Sequence, residues 1–327
     1  MIDIRILFEQ VCVLVLMIIP GILLKKSGLV GEEFGKSISN LILYAAQPAL
    51  IIAGFTSVDV TGEILLRMLA VFILGLFSQL LFFFVSKLVF KNAEIQKRRV
   101  LIFSTVFTNA GYMGIPLLCA IFEEVHPEIA IYAAIYVTGF NILLWSLGAY
   151  LYTDNKEYIS VKKMILNPAT LSTLVGIVIL ALSAIPATRD NIIIPYVRNG
   201  GIIPSLIDGL KALVAPLAMF IIGFRLVNVR LLSALKDKYL YIQIVLSLFI
   251  LPAVVWGVLK ALALVGIYND PLTMSVLLIS VSAPAATATC MFSEKFDGDS
   301  EYAGLIVSVT SILCVISMPI VCLLTTI

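Results

Sequence analysis

Charge is what this chain has least of. Asp, Glu, Lys and Arg make up 13% of its 327 residues, against 61% hydrophobic residues and a mean hydropathy of +1.09. A water-soluble domain carries roughly a quarter charged residues, so a soluble globular protein is excluded. Histidine is all but missing: His126 stands alone in a loop with Glu123, Glu124 and Glu128, a solvated acidic stretch rather than a metal ligand set. The five cysteines, Cys12, Cys119, Cys290, Cys314 and Cys322, all fall in apolar runs and none forms a CxxC pair. They read as small packing residues, not as disulfide or metal ligands. No nucleophile, base and orienting group come together, so neither enzyme chemistry nor a cofactor has support. A net charge of +2 supplies no basic field for nucleic acid. No Asp or Glu falls in the middle of an apolar run. Mid-membrane carboxylates are the usual proton or sodium relays. Their absence argues against a cation substrate and weakens proton coupling, while backbone carbonyls remain able to bind sodium.

What the chain does have is apolar length. A bilayer-spanning helix takes about 20 residues. Ten runs qualify, at about 6–24, 37–55, 64–90, 98–122, 129–152, 167–185, 205–226, 239–265, 272–293 and 301–325. The expected fold class is therefore an all-α membrane protein of ten transmembrane helices in a lipid bilayer. The first run is kept as a span and not a signal peptide, because Asp3, Arg5 and Glu9 replace a basic leader and no A-x-A site follows. Alternate loops differ in Lys and Arg: 16 on one side, 6 on the other. Basic loops stay cytoplasmic, which puts both termini outside and agrees with an even number of spans.

Two halves echo each other. AAQPALIIAGF at 45–55 and LVAPLAMFIIGF at 213–224 each carry a mid-span proline followed by Gly-Phe. Pro48 and Pro216 lie 168 residues apart, as do Pro116 and Pro284. These pairs occupy spans two and seven, then four and nine. Spans one to five (1–152) and six to ten (167–327) then form repeats, joined by a short cytoplasmic linker at 153–166. An odd number of spans per repeat inverts the second copy. Inverted repeats with interrupted helices in matching places point to a secondary transporter and its binding site.

The interruption in span four is TNAGYMGIP, residues 108–116. Pro116 lacks an N–H and suits the first turn of a second half-helix. Gly111 and Gly114 permit backbone angles and close approach that other residues resist. In span nine, Ser282-Ala283-Pro284-Ala285 repeats the break. The freed backbone groups cannot face lipid, so Asn109, Ser282, Thr287 and Thr289 are candidate partners. Two broken helices crossing at mid-membrane would aim two N-termini at one place, and helix N-termini favour anions. The plain alternative is that Pro and Gly merely kink these helices.

With these segments the sequence resembles the auxin efflux carrier family of secondary transporters, in its short bacterial form, within the superfamily of bile acid and sodium symporters. NAGYMGIPL resembles the family's N-x-G-x-x-G-x-P signature. FNILLWSLGAYL (140–151) is similar to its span-five segment, with Ser146 where the family has Thr. APLAMFIIGFRL (215–226) and SAPAATATCMFSEKFDGD (282–299) resemble its span-seven and span-nine segments. The resemblance implies two inverted five-helix repeats with crossed broken helices in spans four and nine. It implies a scaffold of spans 1, 2, 6 and 7 that dimerises, with spans 2 and 7 at the homodimer contact. Spans 3–5 and 8–10 would form a transport domain moving like an elevator. It implies a small organic anion as substrate, such as an indole carboxylate, malate or malonate, carried across a bacterial plasma membrane.

The candidate binding residues are Asn109, Gly111, Tyr112, Gly114, Pro116, Asn141, Ser282, Pro284, Thr287 and Gln47. Asn109 either donates to a carboxylate or caps the broken helix. Tyr112 stacks on substrate or packs in the core. Asn141 is expected to face the transport-domain interior, and Gln47 to reach the path from the scaffold. Trp145 reads as packing. Lys211 and Arg225 either attract anions or extend to the interface. An uncoupled or voltage-driven carrier is the favoured reading. A sodium- or proton-coupled symporter of the same fold and a non-transporting metabolite sensor are the alternatives.

Overall fold

The computed structural model describes residues 9, 12–13, 16–31, 33–185, 201–227, 237–296 and 298–324. Both termini and the side chain of Arg225 lie outside the described residues, as does part of the first expected span. The described chain is helical throughout. Its elements are α1 (Ile18–Lys26), α2 (Glu33–Thr56), α3 (Gly62–Val89), α4 (Ile95–Val106), α5 (Ala110–Phe122), α6 (Ile129–Thr153), α7 (Val161–Ile165) and α8 (Pro168–Ser183). There follow α9 (Ile202–Lys211), α10 (Val214–Leu226), α11 (Lys238–Leu264), α12 (Pro271–Ser282), α13 (Ala288–Lys295) and α14 (Ser300–Leu324). Five helical stretches among the described residues are long and apolar enough to cross a membrane: α2, α3, α6, α9 with α10, and α11. The segment holding α7 and α8, bent by 47°, makes a sixth. By contrast α5 and α12 are short, about 20 Å at 1.5 Å per residue, less than the hydrocarbon thickness of about 30 Å.

Local sequence explains where helices start. Thr61, Ser160, Asn167 and Asp270 each accept a first-turn N–H with the side chain, at α3, α7, α8 and α12. At α8 and α12 a proline follows the cap, in the position where a missing N–H costs nothing. Mid-helix prolines leave a different mark. Wide π-type turns at 42–46, 110–114 and 246–250 each end two residues before a proline, Pro48, Pro116 and Pro252. A proline ring collides with the carbonyl one turn earlier, and the wider turn makes room for it.

Packing between helices relies on close approach, because lipid gives apolar helices no hydrophobic reason to associate. Helix α1 lies against α10 with backbones nearly touching. A Cβ on Gly21 would sit 2.0 Å from the Phe220 carbonyl oxygen, and one on Gly223 would sit 2.0 Å from that of Ile18. Helix α2 packs on α8 and α9, and α3 on α4 and α6. Outward-facing apolar residues such as Leu69, Phe84 and Leu88 on α3 stay exposed, as a lipid-facing surface requires.

Two ion-paired clusters hold the end of the molecule opposite the lysine-rich loops. Arg67 on α3 reaches Asp270 (3.0 Å) and Glu63 (2.6 Å), with Glu128 at 3.7 Å. Burial alone would raise the Asp270 pKa. The hydrogen bonds it accepts from Thr273 and Arg67 outweigh that and hold it below its ordinary value. Lys211 at the end of α9 pairs with Glu123 just past α5.

Candidate functional site

Helices α4 and α5 are separated by Phe107, Thr108 and Asn109, and α12 and α13 by residues 283–287. These two breaks lie against each other as a short antiparallel bridge between Thr108 and Ala285. Asn109 N–H donates to the Pro284 carbonyl (2.7 Å), and Ala286 N–H donates to the Phe107 carbonyl (2.8 Å).

The remaining freed groups are met by side chains. Pro284 has no N–H to offer the Ser280 carbonyl one turn before it, and the Thr108 hydroxyl donates there instead, at 2.8 Å. Ala285 N–H donates to the Thr310 hydroxyl on α14 (3.2 Å). In the wide turn of α5, Ile115 N–H donates to the Ala110 carbonyl. The Gly111 carbonyl would come next, and the residue in line for it is Pro116. The Gln47 amide from α2 donates there instead, at 3.4 Å. A Cβ on Gly111 would lie 3.2 Å from that amide nitrogen, so glycine lets Gln47 approach.

Beside the bridge opens a cavity of about 1470 Å³. Its floor is formed by Thr108, Asn109, Gly111, Tyr112 and Thr287, and its walls include Gln47, Phe140, Asn141 and Trp145. Its far end lies among Lys36, Lys97, Lys162 and Lys163, with Asp237, Glu294, Asp299 and Glu301. The first turns of α5 and α13 both border the floor, so two helix N-termini serve one space.

Asn109 is the distinctive residue of the floor. Its N–H is used by Pro284, and its carbonyl accepts from Met113 (3.0 Å) and Gly114 (3.4 Å). Its side chain makes no capping bond to α5. It is 4% exposed and belongs to the cavity wall. The backbone break is thus satisfied without the Asn109 side chain.

Of the other sequence candidates, Gln47, Gly111, Tyr112, Asn141 and Thr287 border the cavity, while Gly114, Pro116, Ser282 and Pro284 do not. Ser282 is fully buried and donates back to the Ile279 carbonyl (3.1 Å). Thr289 is also fully buried, and its hydroxyl has no partner among the described residues. A Cβ on Gly114 would lie 3.8 Å from the Ser280 Cα on α12. Asn141, besides bordering the cavity, donates to Asn167 (3.2 Å) and Thr170 (3.4 Å), so it ties α6 to α8. The reason is that α8 supplies the nearest polar partners, which a buried amide requires. Trp145 does pack, with its ring 5.1 Å from that of Phe292, and it also walls the cavity. Lys211 is held by Glu123 rather than presented to solutes.

Sequence reasoning missed Thr108, whose hydroxyl does a missing amide's work, and Phe140 and Asn167 on the wall. Asn167 had a readable signal, since Asn-Pro begins a helix. Phe140 carried none, because its placement depends on how α6 is rotated against the break.

A helical chain with a lipid-exposed apolar exterior, two paired backbone breaks and a large cavity beside them is an integral membrane protein. The chain belongs to the membrane transport protein family, that of the auxin efflux carriers, whose model matches residues 6–322. It is similar over nearly its whole length to two archaeal proteins described as uncharacterized transporters. That of Methanothermobacter thermautotrophicus is 24% identical over 317 residues, covering 95% of this chain and 96% of the relative. That of Methanocaldococcus jannaschii is 23% identical over 319 residues, again 95% and 96%.

Proposed function

We propose that this protein is a secondary transporter of small organic anions, and that the bridge between the two breaks is its binding centre. The observation that carries this reading is the Asn109 side chain, which is not needed to satisfy the break and borders the cavity. An amide N–H₂ there, the Gln47 amide beside it and the first turns of α5 and α13 make a donor-rich, acid-free floor. A carboxylate is the group such a floor receives best. Family membership supports transport as the activity.

In this reading the chain is two inverted five-helix repeats, 1–152 and 167–327, linked at 153–166, and the breaks are crossed helices of spans four and nine. Spans 1, 2, 6 and 7 form the scaffold, with spans 2 and 7 at the homodimer contact. Spans 3–5 and 8–10 carry the substrate by an elevator movement. The lysine-rich end is cytoplasmic in a bacterial plasma membrane and both termini are outside, so the cavity corresponds to an inward-open state. No acidic residue borders the floor, which favours uncoupled or voltage-driven movement.

Reconstituted vesicles test this directly. Labelled malate, malonate and indole-acetate are offered to the wild type and to Asn109→Ala, with proton, sodium and voltage gradients imposed one at a time. Saturable flux that follows voltage alone and is lost in Asn109→Ala is expected. Because the side chain makes no hydrogen bond to a described residue, the variant should keep its thermal stability to within about 1 kcal/mol. Flux that requires a sodium or proton gradient would replace the uncoupled mechanism with a symporter. Saturable binding with no flux would turn the reading to a metabolite sensor. Undiminished flux in Asn109→Ala would remove Asn109 from the site.

A further inference from the structure

The lysine-rich end of the cavity is not uniform. Lys36 has Glu33 at 3.7 Å, and Lys97 has Asp237 at 3.6 Å. Lys163 on α7 and Lys295 at the end of α13 have no carboxylate partner among the described residues. They converge instead on one aromatic ring: the Lys163 Nζ lies 5.0 Å from the Trp145 ring centre, and the Lys295 Nζ 5.8 Å from it. The neighbouring Lys163, together with partial burial, lowers the Lys295 pKa. The Trp145 indole N–H is buried and has no partner among the described residues. Glu294, next in sequence and also on the cavity wall, forms no ion pair with either lysine.

Two ammonium groups that separate helices set over one ring repel each other. An indole face attracts each cation but neutralises neither. What completes such an arrangement is an anion able to accept from both lysines at once. Lys163, Trp145 and Ser160 border the cavity, and Lys295 lies just outside it, next in sequence to Glu294 of its wall, so a soluble ion reaches this place through the same opening that leads to Asn109.

We propose that Lys163 and Lys295, set over Trp145, form a second anion site at the mouth of the cavity, built for a small polyvalent oxyanion such as a dicarboxylate or inorganic phosphate. Its binding does not depend on the central floor. Its role as a capture point that raises the local anion concentration rests on the transport reading above.

The chain has two tryptophans. Replacing Trp256 with Phe therefore leaves Trp145 as the sole indole reporter over the lysine pair. In detergent solution, sodium malonate or sodium phosphate is titrated against sodium chloride at matched ionic strength. A saturable change in Trp145 emission with the oxyanions, absent with chloride, is expected. K163Q/K295Q should weaken it at least tenfold, and Asn109→Ala should leave it unchanged. K163R/K295R, which keeps both charges, should retain it, and this variant serves if the glutamine pair does not fold. An equal response to chloride, persistence in K163Q/K295Q, or a response only when anionic phospholipid is added would overturn the proposal. Failure of the central site would show differently, as undiminished flux in Asn109→Ala.

Discussion

At the scale of single residues, the breaks are exercises in replacing hydrogen bonds that proline removes. Pro284 deprives the Ser280 carbonyl of a donor and Thr108 supplies one. Pro116 does the same to Gly111, and Gln47 answers from another helix. Asn109 stands apart because its backbone is fully used while its amide is left over. Glycines matter where backbones touch. Gly223→Ala would place a methyl 2.0 Å from the Ile18 carbonyl oxygen. Strain of this kind costs about 1–3 kcal/mol, so the variant should unfold at lower temperature in detergent. Gly257→Ala on α11, where nothing lies within 4 Å, should not. Equal melting of the two variants would mean that the α1–α10 contact is looser than described.

At the scale of elements, the halves of a broken helix are too short to hold themselves across a bilayer. Helix α5 is steadied by its wide first turn, by the bridge to residues 284–286 and by the pairing of Glu123 with Lys211. That last pair joins α5 to α9, helices that the proposed function places on opposite sides of the moving boundary. Both side chains are partly shielded, at 26% and 31% exposure. Reversing one charge, as in K211E, should therefore lower stability by about 1 kcal/mol. The swapped double variant E123K/K211E should recover most of it, since the coupling depends on opposite signs and not on which helix carries which. A double variant as unstable as the single would assign the effect to packing.

At the scale of the whole molecule, the proposed orientation rests on the lysines. Val125 and Tyr158 are exposed, 76% and 52%, on loops assigned to opposite sides. In a background without native cysteines, Val125→Cys should react with a membrane-impermeant thiol reagent on intact cells. Tyr158→Cys should react only after permeabilisation. The reverse pattern would invert the proposed topology and turn the cavity to the outside.

The sequence alone settled the solvent, the helical class and the family. Composition decides whether a chain can live in water, and NAGYMGIP is a local statement about where a helix cannot continue. It also offered ten candidate binding residues, of which Asn109, Gly111, Tyr112, Thr287, Gln47 and Asn141 border the cavity and Gly114, Pro116, Ser282 and Pro284 do not. What only the tertiary structure decided is which atoms meet. Thr108 and Ser280 are 172 residues apart, and Gln47 and Gly111 are 64 apart. No local pattern encodes such pairings. They depend on how each helix is rotated about its axis, and that rotation is fixed by contacts such as Gly223 on Ile18 and Asn141 on Asn167. The same rotation turns Ser282 away from the cavity and sets Lys163 and Lys295 over one indole.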